Sequence, residues 1–394
     1  MKKKVLVLNI SHNELRVIHA LREMDFYIIG TGGQSGLVGQ KYVDEYIQED
    51  YSNKESILSL AKILKIDAIC ACCNDFGVIT AAYVAEQLGL QGHDTYENAL
   101  ILHHKDRFKK FAEKYGFKTP LAQYFSSETE ALAEINKLDY PVIVKPVDLT
   151  GGKGVSMVSS VVEATIAINQ AFSCSKEKRI VIELFIEGTQ HACCTFLINK
   201  KVVAYCTNNE YSFINPYKVE IDTYPADNFE KYKTVLLEEI ERMAKVLDLS
   251  DGILSMQYIE KNGEIYIIEA MRRVLGNLYM IPAQKLTNIN WDYWEAKSRC
   301  GLDCSDFPKF EEQKGFYAYK TIMATRNGNV KEIVIPDTIK GYIFDQYMLW
   351  TSGTPIQNYM QEQLGFLFFE FSDKTERDFI MLDRYDDISV TFQK

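Results

Sequence analysis

A lysine and a glycine-rich turn are the first residues in this sequence whose types and spacing could do chemistry. Lys145 follows the β-branched run Val142-Ile143-Val144, and the turn Thr150-Gly151-Gly152-Lys153-Gly154-Val155 comes shortly after it. Glycines lack Cβ atoms, so their amides can approach a ligand closely, and a run of such amides forms a concave site for an anion. With two lysine charges beside it, the turn suits a polyphosphate. A glycine hairpin whose lysines face water fits the same residues, so the turn alone leaves both interpretations open.

A predicted β-hairpin at residues 253–270 carries the second candidate group. Gln257 lies on its first arm and Glu269 on its second, each among apolar neighbours. A carboxylate is costly to bury unless it is paired or bound to a metal, and Mg²⁺ takes a few protein oxygens while phosphates complete its shell. The hairpin therefore suggests a magnesium site. A glutamate paired with Arg272 or Arg273 is the alternative.

Lys105 is a third candidate, because it lies near the start of a helix predicted over 98–116. Taken by itself, it is interpreted as a solvated helix lysine. His103 and His104 precede it and are interpreted as packing residues, since no third ligand that would complete a metal site is close in sequence. Lys105 gains significance only from the residues that follow it.

Strands and helices alternate ahead of these candidates. Strands are predicted at 4–9, 26–30 and 67–72, and helices at 14–24, at 78–88 and after the capping-box spacing of Ser52 and Glu55. This alternation predicts a doubly wound parallel sheet. The turn after the first strand, Asn9-Ile10-Ser11-His12-Asn13, contains no glycine, which excludes the dinucleotide-binding fingerprint.

The later parts of the chain hold the glycine turn and the hairpin in place. Helices are predicted to begin at Ser127 and Ser160, on either side of the turn, and to form a small α+β unit with its strands. Strands at 179–188 and 191–198 and an amphipathic helix at 232–247 follow. From residue 311 onward the chain is rich in short strands, predicted at 315–324, 329–335, 341–348 and 365–370.

Charge and composition narrow the class of protein. The 394 residues carry a formal net charge of -10, which argues against a nucleic-acid partner. No apolar run is long enough to cross a bilayer, and the basic start at Met1 lacks the cleavage site of a signal peptide. The nine cysteines are scattered without metal-site spacing, which indicates free thiols. These observations predict a cytoplasmic protein with no membrane partner.

The candidates occur in an order that resembles the ATP-grasp superfamily over most of the chain. That order is Lys105, Val144-Lys145-Pro146, the glycine turn, Ile182-Glu183-Leu184-Phe185-Ile186-Glu187-Gly188, Gln257, and Glu269 with Arg273. The glycine turn is similar to that of glycinamide ribonucleotide synthetases, and the C-terminal segment resembles the biotin carboxylase-like branch. A glutamine at the first metal position, as at Gln257, also occurs in carbamoyl phosphate synthetases.

The resemblance implies an α/β fold of three parts. The first is a doubly wound parallel-sheet domain at 1–97, the pre-ATP-grasp domain of the superfamily. The ATP-grasp domain follows at 98–310, with a lid subdomain at about 120–187. A small C-terminal β-rich domain occupies 311–394.

The resemblance also implies how ATP is held. Lys105 and Lys145 contact its phosphates, and Lys145 is in addition one of two catalytic residues. Thr150-Gly151-Gly152-Lys153-Gly154-Val155 closes over the β- and γ-phosphates as a lid. Glu183-Leu184-Phe185 lines the adenine, with backbone groups pairing its edge. Gln190 stands where the superfamily has a ribose-binding glutamate.

Magnesium is the second implied cofactor, held by Gln257 and Glu269. Arg273, the other implied catalytic residue, faces the transferred phosphate. The sequence departs from the superfamily at Met271, which replaces a metal-binding asparagine, because a thioether is a poor magnesium ligand. Arg272 replaces the usual proline and is expected to supply charge there instead.

The implied activity is that of an ATP-dependent ligase. A small-molecule carboxylate attacks the γ-phosphate of ATP to give an acyl-phosphate and ADP, and an amine then displaces phosphate. The resemblance also allows a homodimer. Two alternatives stay open: a carboxylase-like enzyme that uses bicarbonate, and a nucleotide-binding protein whose catalysis is weakened, as the loss of the asparagine at Met271 would suggest.

Overall fold

The N-terminal part of the chain is a four-stranded parallel sheet with helices on both faces. The computed structural model describes residues 2–71, 73–311 and 314–393. The sheet has the order β3-β2-β1-β4 and consists of β1 Lys4–Val7, β2 Tyr27–Gly32, β3 Glu45–Gln48 and β4 Ala68–Cys70. Its helices are α1 Leu15–Glu23, α2 Lys54–Leu64 and α3 Asp75–Leu88. The predicted doubly wound sheet is confirmed, although β3 was not predicted.

The faces of this sheet follow from the alternation of apolar residues along β1. Val5 packs in the same hydrophobic cluster as α1, and its neighbour Leu6 packs with α2 and α3. Asn53, rather than the predicted Ser52, caps α2, since its side chain accepts a hydrogen bond from the amide of Ser56.

The helix predicted over 98–116 is in fact two helices. α4 Tyr96–His103 and α5 Lys105–Tyr115 are separated at His104, whose φ of -104° and ψ of 118° are extended. The amide of Lys105 donates to the carbonyl of Val147 at 3.0 Å instead of to a carbonyl of α4. This contact interrupts the helix and fixes Lys105 in the first turn of α5.

The predicted α+β unit around the glycine turn is a four-stranded antiparallel sheet covered by two helices. Its strands, in the order β5-β8-β6-β7, are β5 Ala122–Phe125, β6 Val142–Pro146, β7 Ser156–Val158 and β8 Ile180–Leu184. Its helices are α6 Glu128–Glu134 and α7 Val161–Cys174. Ser127 and Ser160 cap them as predicted, each accepting a hydrogen bond from an amide of the first turn.

An eight-stranded sheet forms the centre of the molecule. Five of its strands are β9 Thr189–Ile198, β10 Lys201–Tyr211, β11 Ile221–Tyr224, β12 Gly252–Lys261 and β13 Glu264–Met271. Three C-terminal strands, β14 Phe316–Ile322, β16 Ile343–Met348 and β18 Gly365–Phe371, extend it to give the order β13-β12-β9-β10-β11-β14-β18-β16. The β-rich C-terminal part thus continues the central sheet through β11 and β14, and the domain boundaries themselves stay predictions.

The remaining elements surround this sheet. β15 Gly328–Val334, β17 Pro355–Ile356 and β19 Ser389–Phe392 form a small separate sheet. The other helices are α8 Lys233–Val246, α9 Met280–Thr287, α10 Trp291–Arg299, α11 Asp337–Lys340 and α12 Lys374–Asp378, of which only α8 was predicted. α8 packs on the Leu197 face of β9, and α10 packs on the opposite, Phe196 face. An ion pair of 2.7 Å between Arg16 and Asp292 ties α1 to α10.

Two further predictions concern the chain as a whole. Within the ranges that the structure describes, no helix is long and apolar enough to cross a membrane. Five cysteines are free thiols, as expected: Cys174, Cys193, Cys194, Cys206 and Cys304. Cys72 lies outside the described residues.

Candidate active site

Lys105 joins the glycine turn to the central hairpin. Its Nζ donates to the carbonyl of Leu149 at 2.7 Å, directly ahead of the turn, and lies 3.7 Å from Oε2 of Glu269 on β13. Thr150 and Met271 line the same pocket. Three groups that are far apart in sequence therefore meet where α5 begins.

Lys145 belongs to a buried network of charges beside this pocket. It lies on β6 with 5% of its surface exposed, and its Nζ is 2.8 Å from Oε1 of Glu183 on β8. Lys109, on α5, lies 3.4 Å from the other oxygen of the same carboxylate and also donates to the carbonyl of Ile267. Lys145 and Glu183 are diagonal neighbours across the antiparallel pair β6–β8, which brings their side chains together on one face.

The protonation of this network follows from burial and from its own charges. Burial lowers the pKa of Lys109 from 10.5 to about 8, although the Glu183 carboxylate acts to raise it. For Glu183 itself, burial acts to raise the pKa, but the ammonium groups of Lys109 and Lys145 outweigh burial and hold that pKa below its usual value. Sequence reasoning missed Lys109. Its one signal is its place one helical turn after Lys105, which puts both lysines on the same face of α5.

The glycine turn places three residues in the left-handed region of φ. Gly151, Gly152 and Gly154 have φ angles of 65°, 71° and 70°. A Cβ atom on Gly152 would lie 2.4 Å from the carbonyl oxygen of Tyr217, and the amide of Met157 donates to the Tyr217 hydroxyl at 2.6 Å. The turn therefore packs against the loop that joins β10 to β11. The other members of the turn differ in exposure: Thr150 and Lys153 are exposed and Val155 is half-buried.

Gln257 and Glu269 lie directly opposite each other on β12 and β13. Nε2 of Gln257 lies 2.9 Å from both carboxylate oxygens of Glu210 on β10, and Nε2 of Gln190 donates to the same carboxylate at 2.6 Å. Each glutamine thus uses its amide nitrogen on Glu210, and the roles of Gln257 at a cation and of Gln190 at a ribose hydroxyl stay predictions. Among the described residues, no three His, Cys, Asp or Glu side chains cluster as a metal site. A magnesium ion here would accordingly draw on amide and phosphate oxygens as well as on Glu269.

Glu210 is a second residue that sequence reasoning missed. Burial raises its pKa to about 7, and its cross-strand partner Asp222 on β11 has a pKa that burial raises well above the usual value. A cation bound beside Gln257 would favour the ionised form of Glu210. No local pattern could have revealed this residue, because its glutamine partners lie 20 and 47 residues away.

Arg273 is oriented by Asp75, the first residue of α3. Its Nε and Nη2 donate to the two carboxylate oxygens of Asp75 at 2.7 and 3.0 Å. Nη1 also donates to the carbonyl of Val274, and Nη2 to Sδ of Met271. These contacts use four of the five N–H groups of a guanidinium, which leaves one for a phosphate oxygen. The catalytic role of Arg273 stays a prediction, with Asp75 as its positioning residue.

One expectation for a neighbouring residue is wrong. Arg272 does not supply charge to the pocket: it is 2% exposed, and its guanidinium binds Asp94 at 2.7 Å and the carbonyl of Ser250 at 2.8 Å. Arg272 follows the end of β13 and is not among the residues that line the pocket of Met271; it lines a different pocket, with Asp94. His103, interpreted as a packing residue, is buried and is also among the residues that line the pocket of Met271.

The segment predicted to line adenine has part of its backbone already engaged. The amide of Leu184 donates to the carbonyl of Leu121 at 2.9 Å, and the amide of Phe185 donates to the carbonyl of Pro141 at 3.0 Å. The Glu183 side chain, as described above, is held by two lysines. A contact between Leu184 or Phe185 and the adenine edge would therefore use their carbonyl oxygens, which accept from the exocyclic amine.

The amino-acid sequence of this chain is similar to those of several known proteins. Residues 103–216 match the family described as phosphoribosylglycinamide synthetase, ATP-grasp (A) domain. The carbamoyl phosphate synthase large chain of Clostridium beijerinckii is 24% identical over 226 residues, which is 56% of this chain and 21% of that protein. The phosphoribosylamine–glycine ligase of Fusobacterium nucleatum is 23% identical over 69% of this chain and 77% of its own length.

Solved structures extend the likeness to the full length of the chain. The crystal structure of an L-amino acid ligase from Bacillus licheniformis superposes with a TM-score of 0.84 and 18% identity, covering 100% of this chain and 99% of that one. The match thus covers about a fifth of the synthase large chain but nearly the whole of this ligase. At this identity, the likeness establishes the fold.

Proposed function

From the premise that this chain has the ATP-grasp fold and carries an ATP-grasp domain at residues 103–216, we propose that it is an ATP-dependent ligase. Its substrates are a small-molecule carboxylate and an amine. The carboxylate and ATP form an acyl-phosphate and ADP, and the amine then displaces inorganic phosphate to form an amide.

One observation carries this proposal. The ammonium group of Lys105 donates to the carbonyl of Leu149 at the start of the glycine turn, and it lies within 3.7 Å of the Glu269 carboxylate. The start of the glycine turn, a cation and a carboxylate thus lie together at a single pocket, which supports a phosphate site beside a metal. Phosphoryl transfer depends on positioning and on neutralising charge rather than on a covalent protein group, and this pocket supplies both.

Each group in the pocket has its own role in the first step, the formation of the acyl-phosphate. Lys105 and Lys145 neutralise phosphate oxygens, and Lys145 is held for this purpose by Glu183. The glycine turn closes over the terminal phosphates and excludes water that would hydrolyse an acyl-phosphate. Arg273, held in a fixed orientation by Asp75, offers its remaining N–H to the transferred phosphate.

Magnesium is the proposed metal cofactor. Glu269 and the amide oxygen of Gln257 are hard ligands that fit it, and Glu210 adds negative charge beside them. The thioether of Met271 does not fit, and it accepts a hydrogen bond from Arg273 instead. When bound, Mg²⁺ would offset the charge of the ATP phosphates.

A pooled assay tests the proposed function. The protein is incubated with ATP, Mg²⁺, the proteinogenic L-amino acids, short aliphatic dicarboxylates and bicarbonate, and released phosphate is measured. We expect release that requires both a carboxylate and an amine, and that is lost in the Glu269→Ala variant.

Two results would count against it. Phosphate release no higher than that of the variant, from a protein that binds ATP, would contradict ligase activity. Release that needs bicarbonate but no amine would favour a carboxylase-like reaction instead.

A further inference from the structure

Among the described residues, His103 is the one histidine that both contacts a carboxylate and lines the candidate pocket. It ends α4, its side chain is 1% exposed, and its Nδ1 lies 2.6 Å from Oδ1 of Asp75. His103 is among the residues that line the pocket, together with Lys105, Thr150 and Glu269. Among the described residues, its buried Nε2 has no hydrogen-bond partner.

The Asp75 contact decides which ring nitrogen carries the proton. Arg273 binds both oxygens of this carboxylate, and although burial acts to raise the pKa of Asp75, the Arg273 charge and His103 hold it well below its usual value. An ionised carboxylate can only accept hydrogen bonds, so Nδ1 of His103 carries the hydrogen. In the neutral ring, Nε2 then bears a lone pair.

The adjacent histidine, His104, shows how the contacts of a packing histidine differ from those of His103. His104 is also buried, but its Nδ1 lies 3.2 Å from Nη2 of Arg179, and it is not among the residues that line the pocket. His103 instead has one nitrogen held by a buried carboxylate, and among the described residues its other nitrogen has no hydrogen-bond partner. That is the arrangement of an oriented general base.

We propose that His103 is the general base for the second half of the reaction, a proposal that rests on the ligase function above. Nε2 takes a proton from the attacking amine as the bond between its nitrogen and the acyl carbon forms. The bond from the acyl carbon to the phosphate oxygen breaks, and inorganic phosphate leaves with that electron pair. The imidazolium that results is stabilised by the Asp75 carboxylate.

Hydroxylamine separates this role from a structural one. Its nitrogen is largely unprotonated at neutral pH, so it attacks an acyl-phosphate without help from a base and yields a hydroxamate. The test variant is His103→Asn, whose amide reaches Asp75 as Nδ1 does but has no group in the place of Nε2. His104→Asn is the matched control, because it makes the same change one residue away.

The assay uses the full-length protein with ATP, Mg²⁺ and the pool described above, with hydroxylamine or the pooled amines as nucleophile. For His103→Asn we expect hydroxamate formation within about twofold of wild type, and amide formation lowered by about 10²- to 10⁴-fold. His104→Asn should match wild type with both nucleophiles.

Each other result overturns the proposal in a distinguishable way. Equal losses with hydroxylamine and with amines would make His103 a structural or ATP-binding residue. No loss with amines would remove it from the mechanism. If wild type forms neither hydroxamate nor amide from any acid in the pool, the ligase function itself fails, and this proposal fails with it.

Discussion

The buried carboxylate of Glu183 gives a direct test of how this site is held together. It is 3% exposed and lies 2.8 Å from Nζ of Lys145 and 3.4 Å from Nζ of Lys109. Glu183→Gln keeps the shape of the side chain but leaves two buried ammonium groups facing an uncharged amide. Removing one partner of a buried ion pair costs about 3–5 kcal/mol.

This cost corresponds to a measurable fall in melting temperature. At about 2.1 cal/mol/K of unfolding entropy per residue, 394 residues give roughly 0.8 kcal/mol/K, so we expect a fall of about 4–6 °C by scanning calorimetry. Glu187→Gln, at an exposed position on the same segment, is the control and should stay within about 1 °C.

A double variant tests the cause. Combining Lys109→Met with Glu183→Gln removes one of the two buried ammonium groups that Glu183→Gln leaves without a carboxylate. The double variant should therefore be less destabilised than Glu183→Gln alone. A melting temperature of Glu183→Gln within about 1 °C of wild type would refute the reasoning. So would a double variant whose loss equals the sum of the two single losses.

The remaining predictions concern the lid, the phosphate and metal groups, and pH. Gly152→Ala should abolish turnover, because its Cβ would lie 2.4 Å from a backbone carbonyl oxygen. Gly151→Ala is the control: its φ is similar, but its Cβ would meet nothing within 4 Å, so the change should cost only about 1–2 kcal/mol of backbone strain. Equal activities of the two variants would contradict this prediction. Lys145→Ala should weaken ATP binding about 10- to 100-fold, as measured by calorimetry. Lys145→Ala and Glu269→Ala should each abolish turnover and leave the circular dichroism spectrum unchanged. Full activity of either variant would exclude the substituted residue from the site. Burial lowers the pKa of Lys109 from 10.5 to about 8, so between these pH values Lys109 is protonated in the unfolded chain but not in the folded one. The free energy of unfolding should therefore rise with pH over this range. In urea titrations, Lys109→Met should flatten that rise.

Features set by neighbouring residues could be predicted from the sequence. Ser127 and Ser160 cap their helices because a cap needs only the next few residues. The left-handed conformation of Gly152 and the pairing of Gln257 with Glu269 across a hairpin are similarly local. The resemblance to the ATP-grasp superfamily also needed only the sequence, because it rests on the order of the candidate residues along the chain.

Features set by contacts between distant segments could not be predicted. The helix break at His104 depends on a hydrogen bond from Lys105 to Val147, and nothing in the helical pattern announces it. Asp75 orients Arg273 from 198 residues away, across the junction between the N-terminal sheet and the central one. The same junction turns His103, an unremarkable helix residue in sequence, into a residue of the pocket.

The central claim is that a carboxylate oxygen attacks the γ-phosphate of ATP in this pocket. It is tested most directly with oxygen-18 in the carboxylate that supports ADP release in the pooled assay, followed by mass spectrometry of the phosphate set free. An acyl-phosphate intermediate predicts that one labelled oxygen passes from the carboxylate to the phosphate. Amide formation accompanied by unlabelled phosphate would contradict it.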